Sequence, residues 1–278
     1  MGKVLKLGLV VLAVSLLGLV SRGFAQVSTL DLDTGEKPAV QDTTLTAGLG
    51  LAVLPEYEGS EDYRAAPVPY FRGLWASGQF VQLLGTTLMG NVLPSTTWQA
   101  GPLLRYRAPR DNVKNDQVDK MEKVDAAWEL GGFAGVQYKH WNARAEMAQD
   151  VADGHDGFLL TLTGGYTVPV TQAASVNLSL STTYASVDYM KAYFGVDRED
   201  AVRSGLDEYD ANANFKDVSG TVLATYRINA DWGLLAAVRY TQILGGVGMA
   251  GNAADSPVVD DTGSAGQVLA GAVVTYTF

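Results

Sequence analysis

The sequence predicts an all-β protein, a transmembrane antiparallel up-and-down β-barrel of about twelve strands, with ten as the alternative. Three observations predict it. Hydrophobicity alternates with a period of two from Thr43 to the end, the period of a strand with one apolar face. The apolar faces carry aromatics at one end or both, as in Trp98 with Tyr106 and Trp128 with Tyr138. Short and long connections alternate along the chain, as they do in barrels with short periplasmic turns and longer extracellular loops.

The N-terminus precedes this pattern. Lys3 and Lys6 stand before the apolar run Leu7–Val20, and the small residues of "GFA" come before Gln26. This is the order of a secretory signal peptide, with cleavage expected after Ala25. Its removal takes away Lys3, Lys6 and Arg22 and no acid, so the net charge goes from −10 to about −13. Such a chain has no basic face for a nucleic acid. Residues 26–42 are polar and without period and read as a short periplasmic lead-in, so residues 43–278 are left for the barrel. The chain has no Cys, which excludes disulfides and thiol chemistry.

The strands follow in order. Tyr63–Thr97 is ambiguous, because "FVQLLGTTLMGNVLP" reads as one strand or as two broken near Gly85. The split gives twelve, and an even number suits a single-chain bacterial barrel. "WELGGFAGVQY" and "WNARAEMA" put Glu129, Arg144 and Glu146 opposite their apolar faces. "FLLTLTGGYTV" sets Phe158, Leu160, Leu162, Tyr166 and Val168 against threonines, and "VNLSLSTTY" alternates in the same way. "WGLLAAVRY" sets Trp232, Leu234, Ala236, Val238 and Tyr240 against Arg239. By this parity Arg105, Arg107, Glu129, Arg144, Glu146 and Arg239 face the lumen. A charge facing lipid at mid-bilayer costs about 2–4 kcal/mol. Mixed signs in a narrow barrel point to a cross-linked interior more than to a wide aqueous channel. The last segment, "QVLAGAVVTYTF", ends on Val274, Tyr276 and Phe278. This ending is similar to the recognition signal that bacterial outer-membrane proteins present to the barrel-assembly machinery.

Catalytic and ligand-binding features are sparse, and no catalytic residue, cofactor or metal is expected. His140 falls in a predicted periplasmic turn. His155 lies beside Asp153 and Asp156 in a predicted extracellular rim and reads as a solvated polar turn more than as an acid–base pair. "GVGMAG" (Gly246 to Gly251) has the G-x-G-x-x-G spacing, but no helical period follows it, so it reads as a loop rather than a dinucleotide site. Asp255, Asp260 and Asp261 sit in an acidic loop whose spacing fits no defined cation cage.

Several stretches together resemble the MipA/OmpV family of outer-membrane proteins. "PEYEGSEDYRAAPVPYF" is similar to an early family segment through Pro55, Tyr57, Gly59, Ser60, Tyr63 and Arg64. "GPLLRYRAPRD" is similar to a strand and turn through Gly101, Pro102, Tyr106, Arg107 and Arg110. "ELGGFAGVQY", "AYFGV", "SGLDEYDANANFKDV" and "ADSPVV" follow in the family's order. The resemblance implies a non-enzymatic barrel in the bacterial outer membrane, in contact with its lipid and lipopolysaccharide. It also implies a scaffold role, joining a lytic transglycosylase and a murein synthase. The alternatives are a narrow porin-like channel for small solutes, or a surface adhesin acting through the long loops.

Overall fold

Each strand pairs antiparallel with its neighbours in sequence, and the last closes on the first. The computed structural model describes residues 43–245 and 251–278. Residues 1–25, 26–42 and most of "GVGMAG" lie outside the described residues. The strands are β1 (Thr44–Pro55), β2 (Tyr63–Leu74), β3 (Phe80–Leu84), β4 (Thr87–Asn91), β5 (Trp98–Arg107) and β6 (Ala127–Tyr138). They continue as β7 (Trp141–Asp150), β8 (Phe158–Pro169), β9 (Ala174–Ala185), β10 (Asn214–Arg227), β11 (Trp232–Ile243) and β12 (Gly266–Thr277). The count is therefore twelve. Closure runs from Thr46 opposite Thr277 to Val53 opposite Ala270. It leaves no strand edge at the seam, and every ladder group there finds a partner inside the protein.

The faces are inverted relative to a water-soluble protein. Leu180 is 69% exposed and Leu51 67%, whereas Glu129 is 0% exposed. Such a wall is stable only where the outside is hydrocarbon. Among the described residues no helix is long and apolar enough to cross a membrane; the strands make the crossing. Aromatic contacts ring both ends of the outer wall. Tyr106 and Trp128 meet at 5.1 Å and Tyr184 and Phe215 at 5.5 Å at one end. Trp141 and Tyr166 meet at 4.7 Å and Trp232 and Tyr276 at 5.1 Å at the other. Ring systems with a polar tip settle at the headgroup boundary.

The ambiguous segment splits at Gly85–Thr86, giving two five-residue strands. Above their turn β2 stays paired with β1, and among the described residues no strand pairs with its other edge. Gly85 N–H donates to Pro69 O at 2.9 Å, so Pro69, and Pro67 two residues away, present their backbone to that gap. Neither has an N–H to leave unpaired, the usual place for proline in a sheet. Gly101 serves closure next to it: a Cβ there would lie 1.8 Å from Gly90 O.

Apart from the two-residue β3–β4 turn, the short connections lie at the end where β1 starts and β12 finishes; this is the periplasmic end by barrel topology. The long connections at the other end fold into a cap with short helices α1 (Asp116–Asp119), α2 (Val187–Phe194), α3 (Arg198–Ser204) and α4 (Pro257–Asp260). Asn115, Asp197 and Ser256 each accept backbone N–H groups at a helix start, satisfying donors the helix cannot.

Candidate functional site: a filled lumen beneath a helical cap

The interior is filled at two levels. One is apolar: Leu54, Val68, Leu84, Leu223, Leu235 and Val273 pack together from β1, β2, β3, β10, β11 and β12. A second group joins Phe80, Met89, Leu103 and Phe133. These residues stand on the inward face, which the alternating pattern assigned to polar side chains. On β11 and β12 both faces are apolar, so period two marked the outward set and hid Leu235, Leu269 and Val273.

The other level is ionic. Arg107 Nε donates to Glu129 Oε1 at 2.6 Å and its Nη1 to Glu58 Oε1 at 3.3 Å. Arg105, opposite Glu129 in register, bonds it at 3.3 Å and Glu146 at 2.9 Å. Arg144 stands 3.6 Å from Glu146. Lys216 Nζ donates to Glu58 at 3.1 Å and to Asp217 at 2.5 Å. Four cations thus meet four carboxylates, the balance a buried ionic cluster requires. Arg239 donates to Thr221 at 3.1 Å and Ser181 at 3.3 Å. With Glu58, Lys216 and Asp217 it lines a cavity of about 70 Å³, room for a few waters.

Three members of this cluster have no mark in the sequence pattern. Glu58 sits in the β1–β2 loop. Lys216 and Asp217 are adjacent, yet both are buried, because the register of β10 against β9 shifts between Phe215 and Asp217. A bulge of this kind breaks the two-residue parity. Burial alone raises the Glu58 carboxyl, but Lys216 and Arg107 outweigh it and hold the group below the usual carboxylate range.

The cap covers the network. Tyr189 and Tyr193 of α2 place their ring centroids 5.2 and 5.7 Å from the Arg107 guanidinium, a favourable cation–π geometry. Met190 and Phe194, on the same side of α2, pack with Val124, Leu159 and Val259. His155 belongs to this layer and is not the solvated turn residue its neighbours suggested. Its side chain is wholly buried and its Nε2 lies 3.2 Å from Glu129 Oε1. Gly157 N–H donates to its Nδ1 at 3.1 Å, which assigns the ring proton to Nε2. Asp150 holds the loop by accepting N–H groups from Ala152, Gly154, His155 and Asp156. His140 is exposed in the tight β6–β7 turn.

The motif residues are joints between cap and wall. Tyr57 is buried with Val118, Met121 and Val258, and burial, opposed by Ser60 and Arg110, pushes its phenol up to about 12. Gly59, at φ +96°, accepts from Ser264 N–H at 2.7 Å. Ser60 O accepts from Gln267 at 3.2 Å, and Val268 N–H donates to Tyr63 Oη at 3.1 Å. Arg110 reaches Tyr193 O at 3.0 Å and Glu122 O at 3.2 Å. Pro55 ends β1, and Pro102 lies on the outer face of β5. At the seam, Phe278 N–H donates to Leu45 O at 2.9 Å, and the Tyr276 and Phe278 rings meet at 5.0 Å. Asp255, Asp260 and Asp261 form no metal-holding group, nor do any other residues among those described.

A closed twelve-strand barrel with an apolar exterior and a buried ionic interior defines an outer-membrane β-barrel protein. Within that class, residues 47–278 match the family described as MltA-interacting protein MipA, and the chain belongs to that family. The "MltA-interacting protein" of Escherichia coli (strain K12) is 26% identical over 242 residues, covering 84% of this chain and 90% of that protein. The protein of the same name from Shigella flexneri gives the same values. Among solved structures, an outer-membrane channel from Pseudomonas putida F1 aligns over 89% of this chain and 100% of its own, at 8% identity and a TM-score of 0.44. The NanC porin aligns over 84% and 98%, at 10% identity and a TM-score of 0.42.

Proposed function

We propose that this protein is a non-enzymatic scaffold of the outer membrane, a barrel that holds a peptidoglycan-remodelling enzyme at its periplasmic end. The partner is a lytic transglycosylase, with a murein synthase joined through it. The observation that carries the reading is the occupied lumen. Barrels of about 8 strands are filled by side chains, and aqueous channels appear at about 16. At twelve strands this chain spends its inward positions on an apolar cluster and a neutralised ion network. Such an interior serves rigidity rather than passage. Family membership and the relatives' shared name supply the kind of partner.

Cross-linking in intact cells followed by affinity purification tests this. Recovery of a lytic transglycosylase or murein synthase above the level obtained with an unrelated barrel is the expected result. Recovery of lipopolysaccharide and assembly machinery alone removes the reading's support. The channel and adhesin readings then become the ones to test.

A further inference from the structure

The wall is interrupted beside β2. β3 pairs with β2 only from Tyr70 to Leu74, and Gly85 N–H adds Pro69 O. From Tyr63 to Val68 the edge of β2 away from β1 has no strand beside it among the described residues. The foot of this opening is the Gly85–Thr86 turn, where Thr86 O accepts from Tyr106 N–H of β5 at 3.0 Å. Its top is Lys114 of the β5–β6 connection, whose Nζ donates to Tyr63 O at 3.3 Å and Asp62 at 3.4 Å. Pro67 and Pro69 remove donors from the open edge, and proline there also blocks pairing with a further strand. The opening lies at the cap end of the wall, the outer-leaflet side by barrel topology.

Arg64 stands in this opening. It pairs with Leu54, which is 0% exposed, and so has inward parity. It is nevertheless partly exposed, and Tyr106, an outward residue of β5, lies within electrostatic reach of its guanidinium. Its Nε and Nη2 are buried with no acceptor in the protein. Arg105 and Arg107, by contrast, each bond a carboxylate. Glu56, the carboxylate whose field reaches Arg64, is engaged by Lys114, through N–H at 3.0 Å and Nζ at 3.7 Å. Thr86, 4% exposed, also has an Oγ1 without a partner at the foot of the same opening. Buried donors left without an acceptor are costly, and a guanidinium fork matches a phosphate group. The Tyr106–Trp128 pair beside the opening marks the headgroup boundary, the level at which lipid phosphates lie.

We propose that the opening between β2 and β5 is a lipid-binding site, at which Arg64 takes a phosphate group of an outer-leaflet lipid headgroup. The site is independent of the scaffold reading. The test is native mass spectrometry of the purified, refolded protein in detergent with diphosphoryl lipid A as the probe. Wild type should retain one lipid, and Arg64→Gln should lower the retained fraction about tenfold with its folded band on electrophoresis unchanged. Lys191→Gln, at an exposed lysine of the cap, should retain the lipid as wild type does. Dephosphorylated lipid A should be lost from the wild-type protein, a comparison that needs no variant to fold. Equal retention in wild type and Arg64→Gln, or equal retention of the dephosphorylated lipid, overturns the site. Inorganic phosphate that displaces the lipid at equal concentration marks a free-anion site and overturns the lipid as its occupant.

Discussion

At the residue scale the account turns on Glu129, which holds Arg107, Arg105 and His155 together in a buried site. Removing one partner from such a cluster strands the others. Glu129→Ala is therefore expected to destabilise the barrel by about 3–5 kcal/mol, read as a lower urea midpoint for loss of the heat-resistant folded band. An unchanged midpoint contradicts the network as drawn. Glu58 gives a pH dependence. Lys216 and Arg107 hold its carboxyl below the usual carboxylate range, so its contribution is complete above that range and is lost as pH falls through the depressed folded value. Hydrogen exchange in the cap should therefore stay flat from neutral pH down to the ordinary carboxylate range and rise below it. In Glu58→Gln that acid-induced rise should be reduced. Parity along β5, β6 and β7 pointed to Arg105, Arg107, Glu129 and Glu146 because cross-strand register is local. His155 and Glu58 were illegible because their burial depends on loops that meet across the barrel mouth.

At the element scale, strand existence was legible wherever one face was apolar and the other polar. The pattern weakened where both faces are apolar, on β11 and β12, so the chemical character of half the lumen was hidden. This difference is measurable. Leu223 is 1% exposed and packs against other inward side chains, so Leu223→Ala should cost about 2–5 kcal/mol through the cavity it leaves. In a water-filled lumen the same change would be nearly neutral, and equal urea midpoints for the two proteins would show that. The cap helices escaped because they run four to eight residues, too short for a helical period to show. For α2 a signal was present: Ser186 precedes a run with Tyr189, Met190, Tyr193 and Phe194 at helical spacing, all buried. The β3–β4 hairpin was legible through Gly85, which takes φ +55° in its turn.

At the scale of the whole molecule, the barrel is asymmetric along its axis. The outer end has a folded, acid-rich cap and the periplasmic end only turns and short connections. Between them the inward positions are filled by apolar packing and paired charge. That arrangement suits a rigid membrane anchor. Replacing residues 187–204 with a short Gly-Ser linker removes α2 and α3 but leaves the barrel wall and the periplasmic turns. The truncated protein should still assemble and still be captured by the periplasmic partner, and lost capture with an intact barrel would place recognition elsewhere. The most direct test of the central claim is single-channel recording of the purified, refolded protein in a planar bilayer. The account predicts a silent bilayer, with no defined conductance steps at any holding potential the membrane tolerates. Reproducible unitary steps that persist in Leu223→Ala and change size in Arg105→Ala would mark the lumen as a conducting path and contradict it.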